Sequence, residues 1–208
     1  MAQNDYKLER EYRSLTTMKR ADKTFLKKWL ADFLSSTVGK EAKILDVGCF
    51  DGNVMEFLRS KGFSNVSGIE INDKLRKKAS KYGKVYGYDL ETKLPIKDKT
   101  YDAVLEIDIH EHLYNIENFV SETARIMKDD GVLVIFTSNH QHISKRLMFL
   151  FGIIGYKAFG FGEHHVRFVS HEIFRGWLEP YFKVTHVPGP VPFANVFKRH
   201  CWYVCRKK

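Results

Sequence analysis

The chain of 208 residues has few cysteines and prolines and no long hydrophobic run, and each shortage excludes a class of protein. Its three cysteines (Cys49, Cys201 and Cys205) are too few and too unevenly spaced for a disulfide framework, so we expect a reducing, cytoplasmic setting. The longest apolar stretch, residues 147–156, is too short to span a bilayer. Residues 1–20 are charged throughout and lack the apolar core of a signal peptide. With 14 glycines, 5 prolines and 44% hydrophobic residues, the composition excludes collagen-like and disordered chains.

The positive charge of the chain is unevenly distributed. The formal net charge is +9, and 11 basic against 3 acidic residues give residues 143–208 a charge of +8. Residues 43–142 are slightly acidic. A uniformly basic nucleic-acid-binding protein is therefore not indicated. The excess points instead to an anionic acceptor or to the surface that presents it.

Hydrophobic periodicity predicts alternating strands and helices. Apolar residues at helical spacing predict a helix over residues 5–35. Apolar runs without alternation, typical of parallel strands covered on both faces, predict strands over 44–47, 65–71, 84–90, 101–108 and 132–137. Helices are predicted after the first two strands, over about 116–127 and over 171–178, with Asn53 as a cap and a turn at 129–131. Strands over 182–187 and 201–205 close the chain. This order predicts an α/β protein with a doubly wound sheet.

The same pattern predicts one domain over residues 1–208. Residues 1–42 form an N-terminal helical cap, residues 43–138 a cofactor-binding core, and residues 139–169 an insertion or lid. Residues 170–208 supply the C-terminal helix and strand pair.

Carboxylates stand at the ends of the first three predicted strands. Asp46 precedes a turn with Gly48 and Gly52, Glu70 follows Gly52 at a spacing typical of ribose-binding acids, and Asp89 ends the third strand. Three carboxylates would repel phosphates, so a ligand with a ribose, an adenine and a positive charge suits this edge better than a dinucleotide. Phe50 stands where such turns usually have a second glycine, so we expect its backbone to need no positive φ.

Four segments resemble the type 11/23 group of class I S-adenosylmethionine-dependent methyltransferases: residues 44–52, 94–104, 111–113 and 122–131. The resemblance covers about residues 40–140 and implies a Rossmann-like sheet, mostly parallel with an antiparallel last strand. It also implies a set of residues that bind S-adenosylmethionine. In that set Asp46, Gly48, Cys49 and Gly52 hold the methionine part, Glu70 the ribose, Ile71 the adenine face, Asp89 and Leu90 the adenine edge, and Glu106 faces the methyl group.

Histidines are the candidates for catalysis, because an acceptor hydroxyl must lose a proton near neutral pH. His112, after the fourth strand, is the first candidate for a general base, with Glu111 and His165 as further catalytic candidates. His142 and His164 also lie in or near the predicted lid. The alternative is that Glu111 and His112 fix the start of a helix and that His164 and His165 form a solvated turn.

A narrower resemblance concerns a metal. Asp108, Glu111 and His112 have the relative spacing of the Glu-x-x-Glu-His pattern in ubiquinone-pathway O-methyltransferases, where a divalent metal assists. Such oxygen and nitrogen ligands suit magnesium or zinc. Asp108 replaces the first glutamate of that pattern, so a metal is not favoured.

Residues 143–162 combine apolar side chains with Lys145, Arg146 and Lys157. This pattern fits either a peripheral contact with an anionic membrane or a lid over a hydrophobic acceptor pocket. The sequence as a whole therefore predicts a methyltransferase that acts on an oxygen of a small, partly apolar or lipid- or glycan-linked acceptor. The alternatives are an RNA methyltransferase and a catalytically silent cofactor-binding scaffold.

Overall fold

A computed structural model describes residues 24–139, 142–152, 166, 170–187 and 200–208. The predicted helical residues 5–23 and most of the predicted lid lie outside these ranges. The helices are α1 (Thr24–Thr37), α2 (Asn53–Ser60), α3 (Asp73–Ala79), α4 (Ile116–Ile126), α5 (Ile143–Leu150) and α6 (His171–Leu178), with a 3₁₀ helix at His110–His112. The strands are β1 (Ile44–Val47), β2 (Val66–Ile69), β3 (Lys84–Tyr86), β4 (Tyr101–Ile107), β5 (Met127–Ser138), β6 (Phe182–Val187) and β7 (His200–Lys207).

The strands form one sheet in the order β3-β2-β1-β4-β5-β7-β6. The pairs from β3 to β5 are parallel, whereas β7 is antiparallel to both of its neighbours. The predicted doubly wound sheet with an antiparallel last strand is therefore confirmed. The strand order reverses between β1 and β4, and in such sheets a ligand-binding crevice opens there, beyond the carboxyl ends of the strands.

Helices cover both faces of the sheet. On one face, α1 and α2 pack against the sheet through apolar side chains such as Leu30 and Leu58. On the other face, α4 and α6 do so through side chains such as Phe119 and Leu178. Every residue of β1 and β2 is buried, as the apolar runs without alternation predict. Two cores thus hold the sheet rigid and leave its carboxyl edge for the site.

Three predictions about the elements are wrong. The third strand, predicted over 84–90 with Asp89 at its end, is β3 and ends at Tyr86. The N-cap of α2 is Gly52, with φ of +83° and no side-chain cap, and Asn53 is the first helical residue. Its amide oxygen instead accepts a hydrogen bond from Lys27 of α1 at 2.8 Å. The predicted turn at 129–131 lies within β5, where the pairing with β4 shifts from Tyr101↔Met127 to Ala103↔Val132. The extra residues of β5 are accommodated as a bulge rather than as a turn between elements.

Among the described residues, no helix combines the length and the hydrophobicity needed to cross a bilayer.

Candidate cofactor and acceptor site

Two glycines shape the turn between β1 and α2. Gly48 and Gly52 have φ of +67° and +83°, in the left-handed region that other residues rarely adopt. A Cβ on Gly48 would lie 2.6 Å from Cδ1 of Ile109, so the segment after β4 packs directly on this turn. A Cβ on Gly52 would lie 2.7 Å from Cα of Ala79 in α3. Backbone conformation and close packing therefore both require glycine at these two positions.

Phe50 also has a positive φ, of +54°, so the expectation that its backbone needs none is wrong. This conformation costs a residue with a side chain roughly 1–2 kcal/mol. A residue outside the turn holds this conformation, because the amide of Phe50 donates to Oε2 of Glu70 at 3.1 Å. Strain of this kind is typical of functional sites, where the surrounding structure holds it in place.

Glu70 joins two loops at the carboxyl end of β2. Its side chain is 6% exposed, and its Oε1 accepts a hydrogen bond from the amide of Asn72 at 2.8 Å, while Oε2 accepts that of Phe50. Arg76 of α3 donates to the carbonyl oxygens of Glu70 and Ile71, both at 3.3 Å, and fixes the backbone between them. A carboxylate oxygen can accept two hydrogen bonds, so both oxygens of Glu70 can also accept from ribose hydroxyls.

The loop after β3 carries the other predicted adenine contacts. Asp89 is half-buried, and its Oδ1 accepts the amide of Glu91 at 3.0 Å, which folds the loop into a turn. Leu90 is buried beside it. The conformation of Asp89 is therefore set by local hydrogen bonds, and the loop is already folded at the edge where the adenine is predicted.

Glu91 was missed by the sequence reasoning, although it connects two parts of the site. Its carboxylate accepts the amides of Tyr114 and Asn115, both at 2.7 Å, and so ties the loop after β3 to the start of α4. No sequence motif marks this residue. Its role depends on chain segments that are more than twenty residues apart.

The predicted carboxylates meet at one edge of the sheet. Asp46 is fully buried in β1, Glu70 directly follows β2, and Asp89 follows β3, and these three strands are adjacent. Cys49 is buried, and its amide donates to the carbonyl oxygen of Ile69 at 3.0 Å, which brings the glycine turn to the end of β2. Such an acidic set suits the ammonium, sulfonium and hydroxyl groups of S-adenosylmethionine, so the residues present fit this cofactor.

The segment after β4 borders the same edge. Asp108 has φ of +50°, and its amide donates to the carbonyl oxygen of Phe136 at 2.8 Å. Glu111, in the 3₁₀ helix that follows, is 4% exposed, whereas His112 is half-buried. The carbonyl oxygen of Glu111 accepts the amide of Val166 at 2.8 Å. The two catalytic candidates of this segment thus follow Ile109, which packs on the glycine turn, and Glu111 contacts Val166.

Both carboxylate oxygens of Glu106 have protein partners. The residue is fully buried on the sheet face that α4 covers, and its carboxylate binds Thr123 and His110. The predicted contact of Glu106 with the cofactor stays a prediction, and the placement of the side chain has a local cause. The physical reason is the two-residue period of a strand, which directs the side chain of Glu106 to the same face as Val104, towards α4.

The weak metal candidates do not form a ligand set. Within the described ranges, no group of three or more histidines, cysteines, aspartates or glutamates is arranged to hold a metal ion. Asp108 directly follows β4 in a left-handed conformation, while Glu111 and His112 belong to the 3₁₀ helix after it. Their spacing in sequence therefore does not become a common coordination geometry.

Other histidines lie in or near the predicted lid. His142 caps α5, with its Nδ1 accepting the amide of Ser144 at 3.2 Å. His164 and His165 lie outside the described residues. His171, at the start of α6, was missed by the sequence reasoning: its Nδ1 pairs with the hydroxyl of Tyr203, and its Nε2 lies 3.3 Å from Sγ of Cys201. Burial raises the pKa of the Cys201 thiol to about 12, so this thiol stays protonated at neutral pH.

Comparison with known proteins gives matches to methyltransferases. Residues 45–135 match the family model described as methyltransferase domain. Squalene methyltransferase 1 of Botryococcus braunii is 30% identical over 140 residues, which cover 59% of this chain and 36% of that protein. Ubiquinone biosynthesis O-methyltransferase of Pelagibacter ubique is 31% identical over 121 residues, which cover 56% of this chain and 48% of that protein.

A solved structure extends the match to the whole fold. The crystal structure of a SAM-dependent methyltransferase from Archaeoglobus fulgidus has a TM-score of 0.69 at 19% identity, covering 90% of this chain and 96% of that one. At this identity the likeness concerns the fold. The chain spans less than half the length of the two curated relatives.

Proposed function

Because residues 45–135 form a class I S-adenosylmethionine-dependent methyltransferase domain, we propose that the protein transfers a methyl group to an oxygen atom of a small, partly apolar acceptor, free or linked to a lipid or a glycan. The observation that carries the proposal is the carboxyl edge of three adjacent strands, where Asp46 lies near the end of β1 while Glu70 and Asp89 follow β2 and β3. The family resemblance deduced from the sequence is confirmed by the family match. The acceptor and the attacked atom belong to the proposal.

Positioning is the main contribution of the protein to such a reaction. Bound S-adenosylmethionine supplies an electrophilic methyl group, and its transfer is an in-line displacement that needs aligned reactants. In the proposed arrangement, Glu70 accepts hydrogen bonds from the ribose, Asp89 from the adenine, and Asp46 faces the positively charged methionine part. The turn with Gly48 lets the backbone approach that part closely.

An acceptor hydroxyl also has to lose its proton. We assign this step to His112, whose half-buried side chain lies in the turn after β4, next to the buried Glu111. A histidine changes its protonation near neutral pH and suits a general base. The relatives named ubiquinone biosynthesis O-methyltransferase support oxygen as the attacked atom.

The exposed apolar side chains of α5 support an acceptor that reaches the enzyme from an apolar environment such as a membrane. The helix begins shortly after β5 ends at the carboxyl edge, and none of its eight residues is buried. Phe149 and Leu150 are 62% and 75% exposed, beside Lys145 and Arg146. In the proposal this helix contacts an anionic membrane surface peripherally, with apolar side chains in the interface and basic ones at the headgroups.

Calorimetry with S-adenosylmethionine tests the cofactor site. Glu70→Ala is expected to weaken binding by about tenfold or more, because hydrogen bonds to a buried carboxylate are lost. Glu117→Ala changes an exposed glutamate in the first turn of α4 and is the matched control, with unchanged affinity. Wild-type protein that is folded but does not bind S-adenosylmethionine would refute the proposed activity.

A methyl-transfer screen with labelled cofactor tests the acceptor. We expect transfer to the lipid, quinone-precursor or glycan fractions. Transfer to RNA alone would replace the proposed acceptor with a nucleic acid. Cofactor binding without transfer to any fraction would favour a catalytically silent scaffold.

A further inference from the structure

A buried hydrogen-bonded cluster lies beside the segment that follows β4. Oγ1 of Thr123 in α4 donates to Oε1 of Glu106 at 2.9 Å, and Oε2 of Glu106 lies 2.7 Å from Nε2 of His110. Glu106 is fully buried, and Thr123 and His110 are 1% and 3% exposed. These three residues are called the buried cluster below.

Stability does not account for the buried cluster. Removing a carboxylate and its partner from water costs several kcal/mol, and apolar residues of similar volume are often as stabilising or more so. The surroundings are apolar: the ring of His110 lies 4.7 Å from that of Phe174 and 6.0 Å from that of Phe119, between centroids. Two leucines would therefore suit this core as well as Glu106 and His110 do.

The buried cluster anchors a turn that contacts both the glycine turn after β1 and Val166. His110 is the first residue of the 3₁₀ helix, and its Nδ1 is buried without a hydrogen bond to any described residue. Glu106 thus orients the imidazole within the part of the chain that the structure describes. The preceding residue, Ile109, packs on Gly48, and the following one, Glu111, accepts the amide of Val166.

We propose that Glu106, His110 and Thr123 are positioning residues that set the turn at 109–112 relative to the cofactor. They act through Ile109, which packs on the glycine turn, and through Glu111 and His112, which follow His110 in the same turn. The inference rests on the proposed function and deepens it, because it explains how the turn with the proposed base is held. Its test uses no acceptor, so its failure is distinct from a failure to transfer methyl groups.

Paired substitutions separate positioning from packing. Glu106→Leu with His110→Leu fills the core without hydrogen bonds, and Glu106→Gln with His110→Gln keeps a neutral hydrogen-bonded pair. Hydrogen exchange over residues 108–113 reports the turn, because the amides of His112 and Leu113 are bonded within it. We expect the leucine pair to exchange at least about tenfold faster there and to bind S-adenosylhomocysteine at least about threefold more weakly, and the glutamine pair to restore both values.

The leucine pair overturns the proposal if, with an unaltered melting temperature, it leaves either the exchange or the S-adenosylhomocysteine affinity unchanged. If the leucine pair does not fold, Thr123 decides the question. Thr123→Val is nearly isosteric and removes the bond to Glu106, whereas Thr123→Ser retains the hydroxyl. Faster exchange at 108–113 in the valine variant than in the serine variant supports positioning, and equal exchange overturns it.

Discussion

Single residues at the carboxyl edge serve two functions at once. Glu70 is the proposed ribose ligand, and the same carboxylate holds the amides of Phe50 and Asn72. Gly48 adopts the left-handed backbone conformation of the proposed cofactor turn and also leaves room for the side chain of Ile109. A substitution at either residue therefore changes both the shape of the site and its chemistry.

Replacing Gly48 by alanine tests this double requirement. The Cβ would meet Ile109 in a backbone conformation that alanine disfavours, so we expect a loss of stability of about 1 kcal/mol or more and weaker S-adenosylmethionine binding. Gly176 in α6 has open space around its Cα, so Gly176→Ala is the control, with a gain of roughly 0.5–1 kcal/mol. Urea unfolding measures both; equal stabilities would contradict the crowding of Gly48.

At the scale of elements, one ionic network ties α4 to the loop before β4. Arg125 donates to the carbonyl oxygens of Leu94 and Ile96 at 2.9 and 2.7 Å and pairs with Glu122 and Asp98 at 2.7 Å. The amide of Leu94 also donates to Oε2 of Glu122, at 2.8 Å. The segments 94–104 and 122–131, which resemble the family, are thus connected in space by side chains of α4.

The network predicts a pH-dependent contribution to stability. The hydrogen bond from Arg125 lowers the pKa of Glu122 from its ordinary value of 4.5, so the contribution is complete above that pH and is lost as the pH falls through the lowered value. Glu122→Gln should cost about 2 kcal/mol at pH 7, and this difference from wild type should shrink in acid. Glu117→Gln on the exposed side of α4 is the control. A cost independent of pH would refute the linkage.

At the scale of the molecule, exposed apolar side chains concentrate on and just after α5. Leu147, Phe149, Leu150 and Phe151 are all 45% exposed or more. Exposed apolar residues that occur singly are common on folded proteins, whereas a contiguous group indicates an interaction surface. The proposed membrane contact therefore makes a prediction for the whole protein.

Flotation with vesicles tests this contact. Vesicles with anionic lipid should bind the protein at low salt, and Phe149→Glu with Leu150→Glu should abolish binding, because charges would enter the apolar interface. Ile173 of α6 is 55% exposed, so Ile173→Glu is a matched control and should bind like wild type. Binding that survives the α5 substitutions would remove this helix from the proposal.

The sequence by itself determines the order of strands and helices, the glycine turn after β1 and the acidic residues at the strand ends. These features follow from local physics, since periodicity reports which faces are buried, and the glycines and carboxylates stand at fixed offsets from the strands. The resemblance over residues 40–140 adds the cofactor.

Only the tertiary structure decides how these residues are connected. Phe50 adopts its positive φ in a turn tied by Glu70, twenty residues away. The alternation of β4 directs Glu106 to the face that α4 covers, but only the fold brings Thr123 and His110 to its carboxylate. Asp108, Glu111 and His112 share a motif-like spacing without a common metal geometry among the described residues. Hydrogen bonds between distant segments set these outcomes, and a local sequence pattern does not show which distant residue will lie beside a given side chain.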